Sequence, residues 1–284
     1  ERRVDVVVHL SQELYIRDLV KRFASLLEGL TKKFDSPMDS SVKLSPEQCP
    51  TPGSTEHDKM ASHHDNYMSL VGAFLWLSNV SRPELSYASS QLARYVSNPA
   101  QEHYSAALRV LIYLSGSADR TLHYAPDPTI GLQIYVDSDW AVKFSVSGAL
   151  FVFMGCAIHW FSKTQRSVSM SSSEAEFFAA MMAAKDGVHL RDVLSDLGLL
   201  VSGPTVIRTD NKSIIELSRD AIAFKKTKHI LRAAMFLRDL CLRLIFTLRW
   251  ISGETNPADL FTKAHPVTVF RALMRVFDRL QHVA

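Results

Sequence analysis

The order of strand-like and helix-like segments in the second half of this chain constrains its fold more than any other feature. Three strand-like segments follow one another at residues 132–137, 148–154 and 157–162, and the short turns between them predict an antiparallel meander. Strand and helix patterns then alternate to the end of the chain. The resulting order, βββαβαβα, predicts an α/β fold with a mixed five-stranded sheet flanked by helices.

The elements after the meander are placed by capping residues and by periodicity. Ser171 and Glu174 match a capping box, which predicts that a long helix begins there and runs to Leu197, before Gly198. Pro257 predicts the start of the last helix. The other elements predicted here are a strand at 205–209, a short helix from Asp210 to residue 217, a helix at 228–240 and a strand at 244–251.

The first half of the chain is predicted to be mainly helical. A strand at 4–10 leads into a helix at 14–27, and further helices are predicted at 67–78, 84–96 and 99–114. Four prolines interrupt residues 36–65, which are predicted to form one long loop. Because glycine and proline end the helical pattern at residues 116–128, we predict one domain at 1–126 and a second at 127–284.

Composition and cysteine usage exclude several classes of protein. The three cysteines lie far apart and are odd in number, which argues against a disulfide framework or a zinc motif and favours a reducing compartment. The chain shows neither a signal-peptide pattern nor an apolar run of about 20 residues. We therefore expect no membrane segment and an intracellular protein, cytoplasmic or nuclear and not secreted. Because the chain opens on Glu1, we also expect a piece of a longer protein.

Four carboxylates fall at or near one predicted end of the sheet. They are Asp137 at the end of the first strand, Glu176 in the long helix, Asp210 at the end of the fourth strand and Asp259 at the start of the last helix. Glu176 is surrounded by alanine and phenylalanine, and a buried carboxylate without a partner costs several kcal/mol, so it calls for a cation. Oxygen ligands without histidine or cysteine suit Mg²⁺ or Mn²⁺. Two such ions about 4 Å apart are the usual device for phosphodiester hydrolysis.

Each aspartate also has a plain structural interpretation. Asp137 and Asp210 follow strands, where an aspartate commonly caps a turn, and Asp259 lies where a charge favours a helix N-terminus. Taken singly, these interpretations are preferable to a catalytic role. The presence of four acids on four separate elements favours a shared active site.

Six motifs in the second half resemble the ribonuclease H domain of copia-type retrotransposon polyproteins. They are YVDSDWA (135–141), SVSG (145–148), IHWFSKTQRSVSMSSSEAEFFAA (158–180), TDN (209–211), TKHI (227–230) and NPADLFTK (256–263). The resemblance implies a ribonuclease H-like fold, with hydrolysis of the RNA strand of RNA–DNA hybrids by an active site of four acids.

Transferred by motif, the four acids are Asp137, Glu176, Asp210 and Asp259, and two Mg²⁺ ions are expected, with Mn²⁺ as a possible substitute. Asp137 would bridge both ions, Glu176 and Asp210 would hold one, and Asp259 would complete the other. Asp139 and Glu174 are then neighbours and not ligands. Contacts to the hybrid are expected from Lys163, Arg166, Asn211, Lys225, Lys226, Lys228 and His229.

The first half resembles the thumb and connection of the reverse transcriptase in the same polyproteins. The resemblance implies that this region packs against a primer-template duplex and that the rest of the reverse transcriptase lies upstream. Residues 1–126 contain no two adjacent aspartates, so the acidic pair of a polymerase is missing and we expect no DNA synthesis from this chain alone.

Two other functions remain open. One is a catalytically decayed remnant that still binds nucleic acid, and the short segment AVKF after Trp140, where the family has a longer loop, is the place where the site would be compromised. The other is a different nuclease with this fold, of the integrase or transposase type.

Two further groups of residues are expected to have no functional role. The histidines at positions 57, 63 and 64 lie in a proline-rich segment without a cysteine partner and are interpreted as a chance cluster. Trp160, Trp250, Phe151 and Phe153 are predicted to fill the core and not to form a base-stacking platform.

Overall fold

The computed structural model describes residues 7–29, 32–141, 144–199, 201–219 and 231–277, apart from the side chains of residues 217–219. The chain divides into two compact units, which we name by their main elements. The helical unit contains His9–His123 and Ala264–Met274, and the sheet unit is built around Tyr124–Lys263.

The first half of the chain is mainly helical, as predicted. Its elements are β1 (Val8–Leu10), α1 (Glu13–Arg22), α2 (Thr55–Ala61), α3 (His64–Val80), α4 (Ser86–Ala93), α5 (Gln101–Ser115) and β2 (Leu122–Tyr124). The prediction of one loop at 36–65 was wrong because α2 lies within it. The Ser54 hydroxyl accepts a hydrogen bond from the His57 N–H at 3.1 Å and caps this helix, which at seven residues is too short for periodicity to reveal.

A buried ion pair organises the helical unit. The Arg82 Nε donates to Glu84 Oε1 at 2.7 Å, and the Tyr113 hydroxyl donates to the same oxygen at 3.2 Å. Two further bonds join the Arg82 guanidinium to the carbonyl and hydroxyl of Ser117, at 3.0 and 2.8 Å. Because the guanidinium is fully buried, these bonds are needed to offset its desolvation.

The sheet unit contains the predicted mixed five-stranded sheet. Its strands are β3 (Gln133–Asp139), β4 (Val146–Phe153), β5 (Cys156–Thr164), β6 (Thr205–Thr209) and β7 (Phe246–Trp250), in the order β5-β4-β3-β6-β7. The antiparallel pairings of β4 with β3 and with β5 confirm the predicted meander. The β6 strand runs parallel to both β3 and β7, which makes the sheet mixed.

The helices of the sheet unit follow the predicted order, and two differences from the prediction lie near the end of the chain. They are α6 (Ser172–Asp196), α7 (Lys212–Arg219) and α8 (Leu231–Leu242), and residues 220–230, which include the predicted start of the last of these, lie outside the described residues. Pro257 opens a five-residue 3₁₀ helix, Pro257–Phe261, and not an α-helix. The later helix α9 (Val267–Met274) belongs to the helical unit, although it lies within the range 127–284 predicted as the second domain.

Helix α6 packs closely on the sheet through a small residue. A Cβ at Gly187 would lie 2.6 Å from Ile134 Cδ1 and 3.0 Å from Phe246 Cζ. The fully buried Ile134 and Val136 of β3 share one core with Phe177 of α6. Phe177 therefore anchors the N-terminal half of α6, which carries Glu176, to the core under β3.

No helix within the described residues combines the length and the apolar character that crossing a bilayer requires.

Candidate metal centre

The parallel strands of the sheet bring two of the predicted acids to one edge. Because β3, β6 and β7 run in the same direction, their carboxyl ends meet at the same edge, where α/β sheets usually bind ligands. Asp137 lies near the end of β3, and Asp210 follows directly on β6. Glu176 approaches from α6, where its Oε1 accepts a hydrogen bond from the Ser138 N–H at 3.2 Å.

Asp137, Glu176 and Asp210 form a compact group of oxygen ligands. Each offers a carboxylate oxygen, and these oxygens lie within 4.8 Å of one another. Asp137 and Glu176 are buried and Asp210 is half-buried. Three predicted site residues, distant in sequence, are therefore brought together at a spacing that one metal ion can bridge.

Asp259 adjoins this group from the 3₁₀ helix. Its side chain hydrogen-bonds that of Asp137, and its Oδ1 lies 2.6 Å from the Nζ of Lys263. Asn256 fixes the approach, because its Nδ2 donates to the Val136 carbonyl at 2.9 Å while its Oδ1 accepts from the Ala258 N–H at 3.2 Å. The fourth predicted acid thus lies beside the other three.

Gly148 and Thr262 hold the 3₁₀ helix against the sheet. Gly148 pairs with Asp137 in the β3–β4 register, and a Cβ there would lie 2.7 Å from Thr262 Cγ2 and 2.9 Å from the Ala258 carbonyl oxygen. The fully buried Thr262 donates from its hydroxyl to Asp137 Oδ2 at 2.5 Å. Both residues lie within the motifs SVSG and NPADLFTK, but no role was predicted for either.

Burial and the nearness of other acids disfavour the charged form of these carboxylates. Burial, with the neighbouring charge of Asp259, raises the pKa of Asp137 to about 8, although the Thr262 hydroxyl acts to lower it. Burial and the charges of Asp137 and Asp210 raise the pKa of Glu176 to about 9. Burial also raises the pKa of Asp210. Carboxylates crowded in this way favour a bound cation or a retained proton.

The donor set fits a hard divalent cation. All the candidate ligands are carboxylate oxygens, which suits Mg²⁺ or Mn²⁺. Among the described residues, the buried Oε2 of Glu176 has no hydrogen-bond donor, and such an atom commonly marks the place of an ion.

The structure describes three of the seven predicted nucleic-acid contacts. Lys163 lies 3.5 Å from Asp186 and over the Phe161 ring at 4.4 Å, and Arg166 is exposed. The Asn211 side chain accepts from the Ser213 N–H at 2.9 Å, so it begins α7. Lys225, Lys226, Lys228 and His229 lie outside the described residues.

The neighbours of the acids behave largely as the sequence analysis expected. The Glu174 N–H donates to the Ser171 hydroxyl at 3.2 Å, and the Glu174 carboxylate accepts from the Met170 N–H at 2.6 Å, so Glu174 serves the helix start. Asp139 lies at the exposed end of β3.

One aromatic prediction was wrong. Trp160, Phe151 and Phe153 are buried, but the Trp250 side chain is 52% exposed. Its Nε1 donates to the Asp210 carbonyl at 3.2 Å, which places the indole at the rim of the acid group. The reason is that β7 is an edge strand, and a sequence pattern does not distinguish edge strands from central ones.

Comparisons with known proteins point to one family. The chain is 33% identical over 265 residues to a retrovirus-related Pol polyprotein from transposon TNT 1-94 of Nicotiana tabacum, covering 92% of this chain and 19% of that protein. It is 31% identical over 281 residues to a retrovirus-related Pol polyprotein from transposon RE2 of Arabidopsis thaliana, covering 96% of this chain and 18% of that protein. The chain thus spans about a fifth of the length of these relatives. No protein-family model matches it.

Among solved structures, the N-terminal RNase H domain of a Mycobacterium tuberculosis protein aligns with 51% of this chain and 97% of its own, at 14% identity and a TM-score of 0.36. The ribonuclease H-like fold is recognised here from the strand order, strand directions and helix positions of the sheet unit itself.

Proposed function

Because the chain belongs to the retrovirus-related Pol polyproteins of copia-type transposons, we propose that its sheet unit is a ribonuclease H that cuts the RNA strand of RNA–DNA hybrids. The convergence of Asp137, Glu176 and Asp210, with oxygens within 4.8 Å, is the observation that carries this proposal. These acids come from a strand, a helix and a strand end, so the fold itself builds the site.

Two Mg²⁺ ions, or Mn²⁺ in their place, are proposed as cofactors. Asp137, Glu176 and Asp210 would hold one ion, and Asp259 with Asp137 would hold the other. When bound, such ions supply an activated water and stabilise the charge on the leaving oxygen.

The surrounding residues hold the carboxylates in position. Thr262 fixes Oδ2 of Asp137, and the Ser138 N–H fixes Oε1 of Glu176, so one oxygen of each acid is held in place. Asn256 ties the segment that carries Asp259 to β3. Carboxylates held by buried hydrogen bonds need little rearrangement when the substrate binds.

Selectivity for the RNA strand would follow from the 2′-hydroxyl, which distinguishes RNA from DNA. Cationic side chains would neutralise backbone phosphates without reading sequence. We propose this role for Lys163 and Arg166, and for the four basic residues outside the described residues, Lys225, Lys226, Lys228 and His229. The uncharged amide of Asn211, which follows Asp210, would contribute a hydrogen bond to the hybrid.

The helical unit is proposed to be the thumb and connection of the reverse transcriptase. In that role it would bind the duplex and require the remaining parts of the polyprotein as partners. We also propose that the protein acts inside the cell.

Cleavage of matched RNA–DNA hybrid, duplex DNA and duplex RNA, with Mg²⁺ and with a chelator, tests the proposal. We expect Mg²⁺-dependent cleavage of the RNA strand of the hybrid alone. Hybrid binding without cleavage would show a non-catalytic remnant, and cleavage of duplex DNA would show an integrase or transposase type of nuclease.

A further inference from the structure

Lys263 is a cation among the acids that the proposed reaction does not use. Its Nζ lies 2.6 Å from Asp259 Oδ1, and its side chain is 45% exposed, against 15% for that of Asp259. The lysine follows Thr262, whose hydroxyl binds Asp137, so the backbone at this point is held close to the acid group. One side of the lysine therefore faces the acids, and the other side faces solvent.

The acids divide into two sets when this lysine is considered. Asp137, Glu176 and Asp210 lie close enough together to hold one cation without Asp259. Asp259 already has a counter-ion in Lys263. A first divalent ion can therefore bind without disturbing the ion pair, whereas a second ion that uses Asp259 meets the ammonium of Lys263 at the same carboxylate.

We propose that Lys263 is a built-in counter-ion that competes with the second divalent cation for Asp259, so that the free protein holds one ion and accepts a second only as Lys263 leaves. This inference rests on the proposed function, because it assumes that the acid group is a metal site.

Lys263 brings a positive charge to the acid group, because a lysine side chain is protonated at neutral pH. A lysine suits a counter-ion that must move, because its ammonium is a compact charge on a flexible chain.

Lys263 lies two residues beyond the 3₁₀ helix Pro257–Phe261, which carries Asp259. The ion pair therefore joins two neighbouring positions of one segment without help from another element. Because the Asp259 side chain is mostly buried, the pair is partly shielded from solvent. Its main effect is on the charge of the site, where one positive charge beside a bound divalent ion acts at short range.

Titration with Mn²⁺, with the free ion measured by electron paramagnetic resonance and no substrate present, tests the proposal. For the parent protein we expect one tightly bound Mn²⁺ and a second that binds weakly. In Lys263→Gln and Lys263→Met, the second ion should bind about tenfold more tightly or better, because an adjacent positive charge has been removed. Lys263→Arg keeps the charge and should retain weak second binding.

Lys185→Gln is the matched control, because this exposed lysine of α6 lies over the Phe236 ring and away from the acids. It should bind both ions as the parent does. Thermal unfolding of each variant establishes that it is folded.

Equal affinity for the second ion in the parent and in folded Lys263→Gln or Lys263→Met would overturn the inference while leaving the proposed function intact. A parent protein that binds no Mn²⁺ at all would instead overturn the proposed function, and the inference with it.

Discussion

At the scale of single residues, the acid group is asymmetric because its members are held by different neighbours. Asp137 is bound by a side-chain hydroxyl, Glu176 by a backbone N–H and Asp259 by an ammonium. The hydroxyl of Thr262 matters most, because it orients the acid that would bridge both ions. Its loss would leave a buried carboxylate oxygen without a donor.

Thr262→Val should therefore lower the rate of hybrid cleavage about tenfold to a hundredfold, the usual effect of removing a partner that orients a metal ligand. Valine is close to threonine in shape, so the protein should remain folded. Steady-state cleavage at saturating Mg²⁺ measures the effect. Thr262→Ser keeps the hydroxyl and should retain most of the rate, and equal rates for serine and valine variants would contradict this role.

The raised pKa values of Asp137 and Glu176 predict how the metal-free protein responds to pH. In the unfolded chain these carboxyls lose their protons at about pH 4, whereas in the folded protein they keep them to about 8 and about 9. The unfolded state therefore binds fewer protons in this window, so the free energy of unfolding should fall as pH rises through it. Below about pH 4 these carboxyls are protonated in both the folded and the unfolded state, so they no longer lower the free energy of unfolding.

Denaturant unfolding between pH 5 and 9, with chelator and with Mg²⁺, measures this response. With chelator, the free energy of unfolding should fall by on the order of a few kcal/mol as pH rises. With Mg²⁺ this fall should be smaller. Asp137→Asn and Glu176→Gln should each flatten it and stabilise the metal-free protein at neutral pH. A parent protein whose stability rises with pH in chelator would show that these acids do not carry raised pKa values.

Single residues also show what the sequence alone can predict. The four acids were predicted from their positions in the motifs, and the structure brings Asp137, Glu176 and Asp210 together with Asp259 beside them. The exposure of Trp250 was not predictable, since it depends on which strand lies at the edge of the sheet. The Asp259–Lys263 pair did leave a signal, the spacing of four residues between opposite charges, and this signal was overlooked.

At the scale of elements, the site depends on the close approach of the 3₁₀ helix Pro257–Phe261 to strand β4. Gly148 permits this approach, because any side chain would occupy the space of Thr262 and Ala258. The helix in turn carries Asp259 to its position beside Asp137. A change at this one glycine should therefore move an entire ligand-bearing element.

Gly148→Ala should lower the free energy of unfolding by about 1–3 kcal/mol and abolish most hybrid cleavage, because the added methyl group overpacks the contact. Gly131→Ala is the matched control, since a Cβ there meets nothing within 4 Å. Denaturant unfolding and cleavage assays on both variants measure the difference. Parent-like activity in Gly148→Ala would show that the 3₁₀ helix need not lie where the structure places it.

The elements themselves were largely predictable where they are long or strongly apolar. The strand Thr205–Thr209 matches its predicted bounds, and α6 agrees to within one residue at each end because Ser171 and Gly198 mark its limits. The short helix α2 was missed, because a single turn or two gives no periodic pattern. The 3₁₀ helix was taken for an α-helix because a proline at the first position suits both.

At the scale of the whole molecule, the chain joins a nuclease-like unit to a helical unit within one family of polyproteins. It spans about a fifth of the length of the relatives compared with it, so the functions of the complete polyproteins are not assigned to it. The assignment of the helical unit to a thumb and connection stays a prediction, as do the domain limits at 1–126 and 127–284. The proposed nuclease activity can be tested separately from DNA synthesis.

This chain should not extend a primer. No two aspartates are adjacent anywhere in its sequence, so the paired carboxylates of a polymerase are missing. A primer-extension assay with labelled deoxynucleotides, on a template that the cleavage assay also uses as hybrid, measures both activities in one preparation. Incorporation of nucleotide above the level of a heat-inactivated control would contradict the prediction.

The comparison of the parent with Asp137→Asn in cleavage and binding of the same RNA–DNA hybrid tests the central claim most directly. Asparagine nearly preserves the shape of aspartate but cannot carry the charge of the acid whose oxygens lie within 4.8 Å of those of Glu176 and Asp210. We predict that the variant loses Mg²⁺-dependent cleavage of the RNA strand while it remains folded and binds the hybrid with an affinity close to that of the parent. Cleavage by Asp137→Asn at the parental rate would contradict the assignment of this acid group as the active site.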